Sequence, residues 1–349
     1  MTGDAAAGAA VTHPAFAGPD HTPHPLHRDA TNDWIDANCY TDLWIELLHG
    51  LGLDPHPVLP TALGVDYEGD QWTFFKPPPE DLRALYGIEL IELTAYRPLC
   101  EHAAAQLRRG HIPILEADAY HLPDAATTYR RAHSKTTIAV VDVDPAARTV
   151  RYLHNSGCFA ARDEDYDGLF RVGGGTPADG VLPPYLEAAK LSGLWYAGRE
   201  QSVRVAVDRA VECVSWPGRA AAMDSFLAAF PGDLQAIPRG DLIRFDGYAF
   251  ATLRQLGAAC ALGARFLRWL DGAAGLGLGD AATSLDRLSQ CAKRLILKAA
   301  RSVATGRPLD GDDTFADMTT DWRHVGERIR AAAGPAAVSR VEGGRGGAR

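Results

Sequence analysis

Apolar residues recur at helical spacing early in the chain, beginning at residue 38. The segment NCYTDLWIELLHGLG over 38–52 predicts an amphipathic helix, with Asn38 or Asp36 as N-cap and Gly50 or Gly52 at its end. Its apolar face consists of Leu43, Trp44, Leu47, Leu48 and Leu51. Cys39 therefore lies in the first turn of a buried helix.

The hydrophobic period changes from helical to alternating at residue 111. Two more helices are predicted before that point, one starting near 79–81 and one over 97–109. Strands are then predicted over 111–120, 136–143 and 149–154. A short loop over 144–148 joins the last two strands as a hairpin, which places residues near 136 opposite residues near 155.

The second half of the chain is mainly Ala- and Leu-rich with helical spacing. Helices are predicted over 185–194, 219–230, 245–270, 281–301 and 322–333. The predicted organisation is a disordered leader over 1–31, a mixed domain over 32–172, a linker over 173–184, a helical domain over 185–333 and a disordered tail over 334–349. The expected fold class is α+β, an antiparallel sheet followed by an all-helical C-terminal domain.

Composition narrows the classes of partner. Hydrophobic residues make up 46% of the 349 residues and charged residues 23%, which suits a globular protein with a sizeable core. Lys plus Arg number 35 against 44 Asp plus Glu, a net charge of −9, and this balance argues against a general nucleic-acid binder. Arg254, Arg265 and Arg268 interrupt the longest apolar stretch, so no membrane span is predicted. No signal peptide is expected either, because the first residues lack a basic and then apolar run.

The cysteine pattern favours reduced thiols. Six cysteines are scattered along the chain, and no CxxC pair occurs. This excludes the common zinc-ribbon and thioredoxin spacings and points to the cytoplasm, with no metal or cofactor expected. His21, His24 and His27 are spaced for a helical metal site, but Pro23 and Pro25 oppose that helix, so a solvated tail is the preferred interpretation.

One constellation could carry chemistry. A thiol at a helix N-terminus lies at the positive end of the helix dipole, which favours the thiolate, and Cys39 holds that position. A cysteine nucleophile also needs a base and a group that orients it. The hairpin brings His133 towards His154 and Asn155, and either histidine could be the base, with Asn155 as the orienting residue. Each of these residues also has a purely structural interpretation: Cys39 as a buried cysteine, His133 as an exposed loop histidine and His154 as a core histidine.

Further residues are assigned supporting roles. The backbone N–H of Cys39 and the side chain of Asn38 are candidate oxyanion donors. The candidate substrate-binding residues are Glu116, Asp118, Trp72 and Phe74, although a solvated strand face and an aromatic core explain them equally well. The candidate docking cations for an acidic protein partner are Arg130, Arg131 and Lys135.

Three segments carry a resemblance to a bacterial family known only as a domain of unknown function. They are NCYTDLWIELLHGLGLDP, GDQWTFFKPPPEDLRALYGIEL and HSKTTIAVVDVDPAARTVRYLHNSG, and the resemblance covers most of residues 32 to 330. Asn38-Cys39, ILEADAYHLP over 114–123 and the hairpin over 136–154 are more distantly similar to the N-terminal domain of the butirosin-pathway acyltransferase.

The second resemblance implies a papain-like fold and transfer of an aminoacyl group from a carrier-protein thioester to an amine. Cys39 matches the nucleophile position. The expected histidine falls on Thr136, with His133 just before it, and the expected acidic residue falls on His154 or Asn155. We therefore expect a cysteine-dependent acyl or aminoacyl transferase, with a carrier protein as donor and a small amine as acceptor. The alternatives are a non-catalytic ligand- or partner-binding protein on the same fold, and a cysteine amidohydrolase or peptidase.

Overall fold

The computed structural model describes residues 9–18, 20–29, 34, 37–173, 184–309 and 312–346. The described residues divide into two compact units. The N-terminal unit takes its residues from 1–29, 39–55 and 79–197, and the helical unit takes its residues from 30–38, 56–78 and 198–349.

An open antiparallel sheet forms the centre of the N-terminal unit. Its strands are β1 (Val11–Thr12), β2 (Glu89–Leu93), β3 (His111–Asp118), β4 (Lys135–Asp144), β5 (Thr149–His154), β6 (Gly157–Arg162) and β7 (Leu186–Lys190). The strand order is β2-β7-β3-β4-β5-β6, and β1 pairs with β4. The predicted strands β3, β4 and β5 and the hairpin between the last two are confirmed.

Helices cover the sheet within this unit. They are α1 (Pro25–Arg28), α2 (Cys39–Gly50), α3 (Pro79–Tyr86), α4 (Leu99–Arg108) and α5 (Asp163–Phe170). Helix α2 matches the predicted amphipathic helix, and its apolar residues Leu43, Trp44, Leu47 and Leu48 are all fully buried. Burying an aliphatic side chain of this size contributes roughly 2 kcal/mol, so the apolar face of α2 is a main source of stability for the unit.

The helical unit contains α6 (Arg199–Val214), α7 (Arg219–Ala236), α8 (Leu242–Ala249), α9 (Gln255–Ala274), α10 (Gly279–Thr305) and α11 (Asp312–Gly346). A π-helical turn, Phe250–Arg254, joins α8 to α9, and α11 breaks at Gly334. The α+β class with a helical C-terminal region is therefore confirmed. None of the described helices combines the length and apolarity needed to cross a membrane.

The helical unit also takes in residues from the first half of the chain. The 3-10 run His56–Leu63 and Trp72 belong to it. Trp72 packs edge-on against Phe226 and Trp322, with ring centroids 5.6 and 5.5 Å away. The predicted boundary over 173–184 does not describe this arrangement, because the chain enters the helical unit twice before its final entry at residue 198.

The predicted helix over 185–194 is wrong, because Leu186–Lys190 forms strand β7, which lies between β2 and β3 in the sheet. The side chains of residues 186–189 are all buried. A strand covered on both faces shows no alternation of apolar and polar residues, so an Ala-rich segment of this kind reads as helix.

The expected disordered leader also differs from the structure. Within the described residues 9–29, β1 pairs with β4, a 3-10 turn forms over Pro14–Phe16 and α1 follows. The predicted linker over 173–184 lies almost wholly outside the described residues, and the candidate cap Asp36 lies outside them as well.

Candidate functional site

Helix α2 begins at Cys39, as the sequence predicted. The Cys39 side chain is half-buried, and it lies in the first turn, where backbone N–H groups have no partner within the helix. The next residue, Tyr40, is buried, and its hydroxyl donates to Glu187 Oε2 on β7 at 2.7 Å. This contact fixes the N-terminal end of α2 against β7.

Sheet register shows which side chains share the face covered by α2. Ile114 pairs with Glu187 on one side and with Ala139 on the other, and Ala139 pairs with Leu153. Directly paired residues project to the same face, so these four side chains form a row on the side where Tyr40 reaches Glu187. Because alternate residues share a face, Glu116, Asp118 and Lys135 project to it as well. Glu116 and Asp118 both lie on β3 at alternate positions.

A hydrogen-bonded chain runs from the start of α2 along this face. Glu187 accepts from Tyr40 and, through Oε1, from the Tyr185 hydroxyl at 2.8 Å. The backbone N–H of Tyr185 donates to Glu116 Oε2 at 3.2 Å. Lys135 Nζ lies 3.0 Å from Glu116 Oε1. Burial and the Glu187 charge together raise the pKa of Tyr40, so its hydroxyl keeps its proton and acts as a donor.

A cleft of about 290 Å³ opens where β3 ends and β4 begins. Its lining residues are Glu116, Ala117, Asp118, His133, Ser134, Lys135 and Arg171. The cleft thus contains side chains of both charges, and it includes four residues that the sequence had singled out for three different roles.

His133 stands at this cleft in contact with a carboxylate. Its Nδ1 lies 2.5 Å from Asp118 Oδ2, and its ring stacks on Tyr120 with centroids 4.6 Å apart. Asp118 also accepts from the backbone N–H groups of Tyr120 and Ser134. Burial raises the pKa of Asp118, but the His133 contact and the two N–H groups outweigh it, so the pKa is lowered and the carboxylate stays charged. Among the described residues, none pairs with His133 Nε2.

His154 lies on the other side of the sheet. It follows Leu153, so its side chain points away from the face covered by α2. Its Nδ1 is 2.6 Å from Asp124 Oδ2 and its Nε2 is 2.8 Å from Thr136 Oγ1. Only 2% of its side chain is exposed. This geometry favours the core-histidine interpretation of His154 and leaves His133 as the better candidate base.

The two asparagines occupy positions unlike those expected. Asn155 has a left-handed backbone (φ 46°) between β5 and β6, and the carboxylates of Asp118 and Asp124 hold the histidines that Asn155 was expected to orient. Asn38 belongs to the helical unit, is 1% exposed and donates through Nδ2 to the Phe75 carbonyl at 2.9 Å. Its amide is committed to a structural contact.

The two aromatic candidates for substrate binding do not form a single surface. Trp72 is buried in the core of the helical unit, whereas Phe74 is 40% exposed. The candidate docking cations also differ among themselves. Arg130 Nη2 lies 2.7 Å from Asp165 Oδ1, while Arg131 is exposed and donates to the Ala126 carbonyl. Lys135 pairs with Glu116 at the cleft.

A histidine and carboxylate cluster appears where the sequence predicted a solvated tail. The fully buried Glu46 of α2 accepts from His21 Nε2 at 2.5 Å, from the His24 backbone N–H at 2.9 Å and from His27 Nδ1. His27 Nε2 also lies 3.2 Å from Asp42 Oδ1. Within the part of the chain that the structure describes, no group of three or more His, Cys, Asp or Glu residues could hold a metal ion. The cluster joins the N-terminal segment to α2.

The sequence did not reveal Glu187, Tyr185 or Arg171 as site residues. Glu187 and Tyr185 lie in and beside the segment that was interpreted as a helix, and only the pairing of β7 with β3 brings them to Glu116. Arg171, which follows α5 with a left-handed backbone (φ 53°), reaches the cleft through the packing of that helix. None of the three belongs to a recognisable sequence motif.

Two sequence families match the chain. The DUF1839 N-terminal domain matches residues 22–191, and the DUF1839 C-terminal domain matches residues 217–331. Together these ranges cover well over half of the residues, so the chain belongs to the DUF1839 family. The predicted resemblance to a domain of unknown function is confirmed. No curated protein matches the chain, and the similarity to the butirosin-pathway acyltransferase stays a prediction.

Proposed function

We propose that this member of the DUF1839 family is a cysteine-dependent acyltransferase with a papain-like N-terminal unit, Cys39 as nucleophile and His133 as base. The carrying observation is the His133 and Asp118 pair at the cleft. A ring nitrogen held by a carboxylate, with the second nitrogen open, is the arrangement that a general base needs. Glu116, Asp118 and Lys135 of the cleft lie on the sheet face that α2 covers, and α2 begins with Cys39, which is not itself among the residues that line the cleft.

The proposed reaction has two steps. His133 Nε2 takes the Cys39 thiol proton, and Sγ attacks the carbonyl of a thioester or amide. The donor's bond to its thiol or amine breaks, that group leaves with the proton, and an acyl thioester forms on Cys39. An amine then attacks this thioester, loses a proton to His133 and leaves with the acyl group, which restores the thiol. Backbone N–H groups of the first turn of α2, starting with Cys39, stabilise the oxyanion.

The proposed donor is an acyl or aminoacyl group on an acidic carrier protein, and the acceptor is a small amine. The exposed Arg131 is the docking cation that we propose for the carrier, because Arg130 pairs with Asp165 and Lys135, which lines the cleft, pairs with Glu116. All six cysteines are free thiols, which suits a reaction in the reducing cytoplasm.

The test is intact-mass measurement after mixing the full chain with loaded carrier proteins. We expect a mass increase equal to the acyl group in the wild type and none in Cys39→Ser. Cys158→Ser is the matched control, because Cys158 is also half-buried but burial raises the pKa of its thiol. Its acylation should equal that of the wild type.

Two results would contradict the mechanism: undiminished transfer by Cys39→Ser, or alkylation of Cys39 by iodoacetamide at pH 7 no faster than that of an unperturbed thiol. The His133→Gln variant removes the proposed base and keeps the Cys39 thiol, so it tests the two roles separately. It should still bind the carrier but lose at least about 100-fold in acylation rate.

A second candidate function is binding of a small zwitterion without catalysis. The observation that favours it is the charge pattern of the cleft, where Glu116 pairs with Lys135 and Asp118 pairs with His133. Such pre-oriented groups of both signs suit a ligand that carries an amine and a carboxylate. Calorimetric titration with free amino acids tests it: binding that Lys135→Met abolishes and Cys39→Ser leaves intact, with no acyl adduct, would favour this function over transfer.

A further inference from the structure

A sixteen-residue connection, 119–134, links β3 to β4 and carries His133 at its end. Apart from a 3-10 turn over Ala119–His121, it has no regular secondary structure. Loops of this length inside a compact domain are uncommon and usually functional. Backbone hydrogen bonds such as that from the Tyr129 N–H to the Ala125 carbonyl shape the turns of this connection, and side-chain contacts hold these turns against the sheet, so both kinds of contact determine where His133 lies.

Asp124 is the central attachment point of the connection. Its Oδ1 accepts from the Tyr152 hydroxyl at 2.6 Å, and its Oδ2 lies 2.6 Å from His154 Nδ1. The other nitrogen of His154 meets Thr136 Oγ1 on β4 at 2.8 Å. The His154 ring therefore bridges the connection, β5 and β4. Burial and the Asp124 charge raise the pKa of Tyr152, which keeps that hydroxyl a donor.

Carboxylate, imidazole and hydroxyl are ordered here as in a hydrolase triad, but substrate has no access to them. The exposed fractions are 2% for the His154 side chain and 8% for the Asp124 side chain, and Thr136 is 7% exposed within a central strand. A nucleophilic hydroxyl must meet a carbonyl carbon, which this burial prevents. The arrangement instead makes strong, charge-assisted bonds in a dry environment, where their loss is costly.

A second set of contacts holds the part of the connection that leads to His133. The Tyr129 hydroxyl donates to Asp165 Oδ2 at 2.9 Å, and Arg130 pairs with the other oxygen of Asp165. The Arg130 backbone N–H donates to the Tyr120 carbonyl at 3.0 Å, and its guanidinium lies over the Tyr120 ring. Tyr120 in turn stacks on His133.

We propose that His154 is a positioning residue, which holds connection 119–134 through Asp124 and thereby fixes His133 at the cleft. That His154 holds the connection in place rests on the contacts alone. That this placement matters for catalysis rests on the proposed function, in which His133 is the base. His154 acts from the opposite face of the sheet and touches no reacting atom.

The experiment compares His154→Gln with His154→Asn in the full chain. The Asn amide nitrogen can take the place of Nδ1 and donate to Asp124, whereas the Gln amide extends towards the Nε2 position and leaves Asp124 without that donor. Hydrogen exchange measured by mass spectrometry should rise about tenfold or more in peptides covering 122–133 for the Gln variant. The Asn variant should stay close to wild type, and peptides from β5 and α2 should exchange at wild-type rates in both.

A second readout follows His133 itself. Its ring protons, shifted upfield by the stacked Tyr120 ring, should move towards random-coil positions in His154→Gln but not in His154→Asn. In transfer assays kcat should fall at least tenfold in the Gln variant with KM unchanged within about twofold, because the base is misplaced while the cleft keeps its other groups.

The outcomes separate the two proposals. Unchanged hydrogen exchange over 122–133 in a folded His154→Gln protein would overturn the positioning role of His154. A uniform rise in hydrogen exchange across the whole N-terminal unit would overturn it as well. A further outcome is that hydrogen exchange in His154→Gln increases only within connection 119–134, with displaced His133 resonances. If the wild type then shows no transfer activity either, the positioning role of His154 is supported and the proposed acyltransferase function is contradicted. Should His154→Gln fail to fold, Asp124→Ala removes the acceptor of the His154 bond and is judged by the same criteria, with Tyr152→Phe, which leaves that bond in place, as its control.

Discussion

His27 and Glu46 form a buried ion pair whose contribution to stability depends on pH. Burial lowers the pKa of His27, but hydrogen bonds and charge from Asp42 and Glu46 outweigh it and raise the pKa from 6.5 to about 9. Burial raises the pKa of Glu46, but its histidine contacts lower it from 4.5 to about 2. Stabilisation from His27 is therefore complete below pH 6.5 and is lost as the pH rises through 9. Stabilisation from Glu46 is complete above pH 4.5 and is lost as the pH falls through 2.

We therefore predict that the pair stabilises the protein most between pH 4.5 and 6.5. Urea unfolding of wild type and His27→Gln should show a difference in unfolding free energy that shrinks by up to about 3 kcal/mol between pH 6 and pH 10. His49→Gln is the control, since His49 packs edge-on against the neighbouring rings of His21 and His24 and is not among the described partners of Glu46. Parallel pH profiles for wild type and His27→Gln would contradict the prediction.

At the scale of single residues, the sequence predicted which side chains lie near the sheet ends but not which face they share. His133 and His154 looked equivalent because the hairpin brings both to the same end. They differ in their carboxylate partners, Asp118 for His133 and Asp124 for His154. They also differ in the side of the sheet on which they lie, which can be assigned only when the pairing of β3 with β4 and β7 is known. Those contacts are made in the folded chain and have no local pattern in the sequence.

Gly87 sets the turn between α3 and β2. It has a left-handed backbone (φ +67°), and a Cβ there would lie 2.0 Å from the Gly193 carbonyl oxygen and 2.2 Å from the Trp195 ring. Residues 195 and 197 donate backbone N–H bonds to the carbonyls of Tyr86 and Leu85, so the two segments are held together tightly. Any side chain at position 87 must therefore both strain the turn and separate these segments.

We predict that Gly87→Ala lowers the free energy of unfolding by about 3 kcal/mol, combining backbone strain with overpacking. Gly52→Ala is the matched control, because Gly52 has a similar backbone (φ +73°) but open space around its missing Cβ. It should cost only about 1 kcal/mol. Urea midpoints measure both, and equal losses in the two variants would show that the contact with residues 193–195 is unimportant.

At the scale of elements, local patterns were enough for α2 and for β3, β4 and β5. Each has a clear period: the apolar face of α2 recurs every three or four residues, and the strands are β-branched and bounded by turns. Strand β7 was missed because burial on both faces removes its alternation. Strand β1 was missed because a two-residue strand has no period, and its pairing with Val143 and Asp142 on β4 is a long-range contact.

The helical unit depends on a segment that is distant in sequence. Arg219 is almost completely buried, and its guanidinium lies 3.7 Å from the Trp322 ring centre. Its Nε donates to the Leu63 carbonyl at 3.0 Å. Burial lowers the pKa of Arg219 to about 10, which reflects the free-energy cost of placing a cation in the core. The contacts with Trp322 and Leu63 offset part of this cost. Trp72 fills the adjoining space against Phe226.

We predict that a fragment covering 198–349 does not fold cooperatively, because it lacks residues 56–78. Without them Arg219 loses its partner at Leu63, and the Trp72 site becomes a large apolar cavity. Circular dichroism during urea titration should show a broad, non-cooperative change for the fragment. Adding a peptide of residues 56–78 should restore a sigmoidal transition, while a peptide with Trp72→Ala should not. A sharp transition for the fragment alone would contradict the prediction.

At the scale of the molecule, composition and period predicted a sheet-containing part followed by helices. The division of the chain into two compact units was harder to predict. A change in the spacing of hydrophobic residues marks where helices give way to strands, but it does not show which unit a segment joins. Residues 56–78 follow α2 directly, yet their packing partners begin beyond residue 198. Trp72 was therefore interpreted as a possible cleft residue of the first part when it is a core residue of the second.

The position of β7 has a consequence for how the chain emerges during synthesis. Strands β2 and β3 do not pair with each other, and both pair with β7, which is the last strand of the sheet to be translated. Until residue 190 has left the ribosome, β2 has no neighbour and one edge of β3 is bare. Unpaired edges are the surfaces through which nascent chains associate wrongly. The pairings β3-β4, β4-β5 and β5-β6 need no residue beyond 162, so translation of residues 186–190 supplies the last strand, covers these edges and completes the sheet.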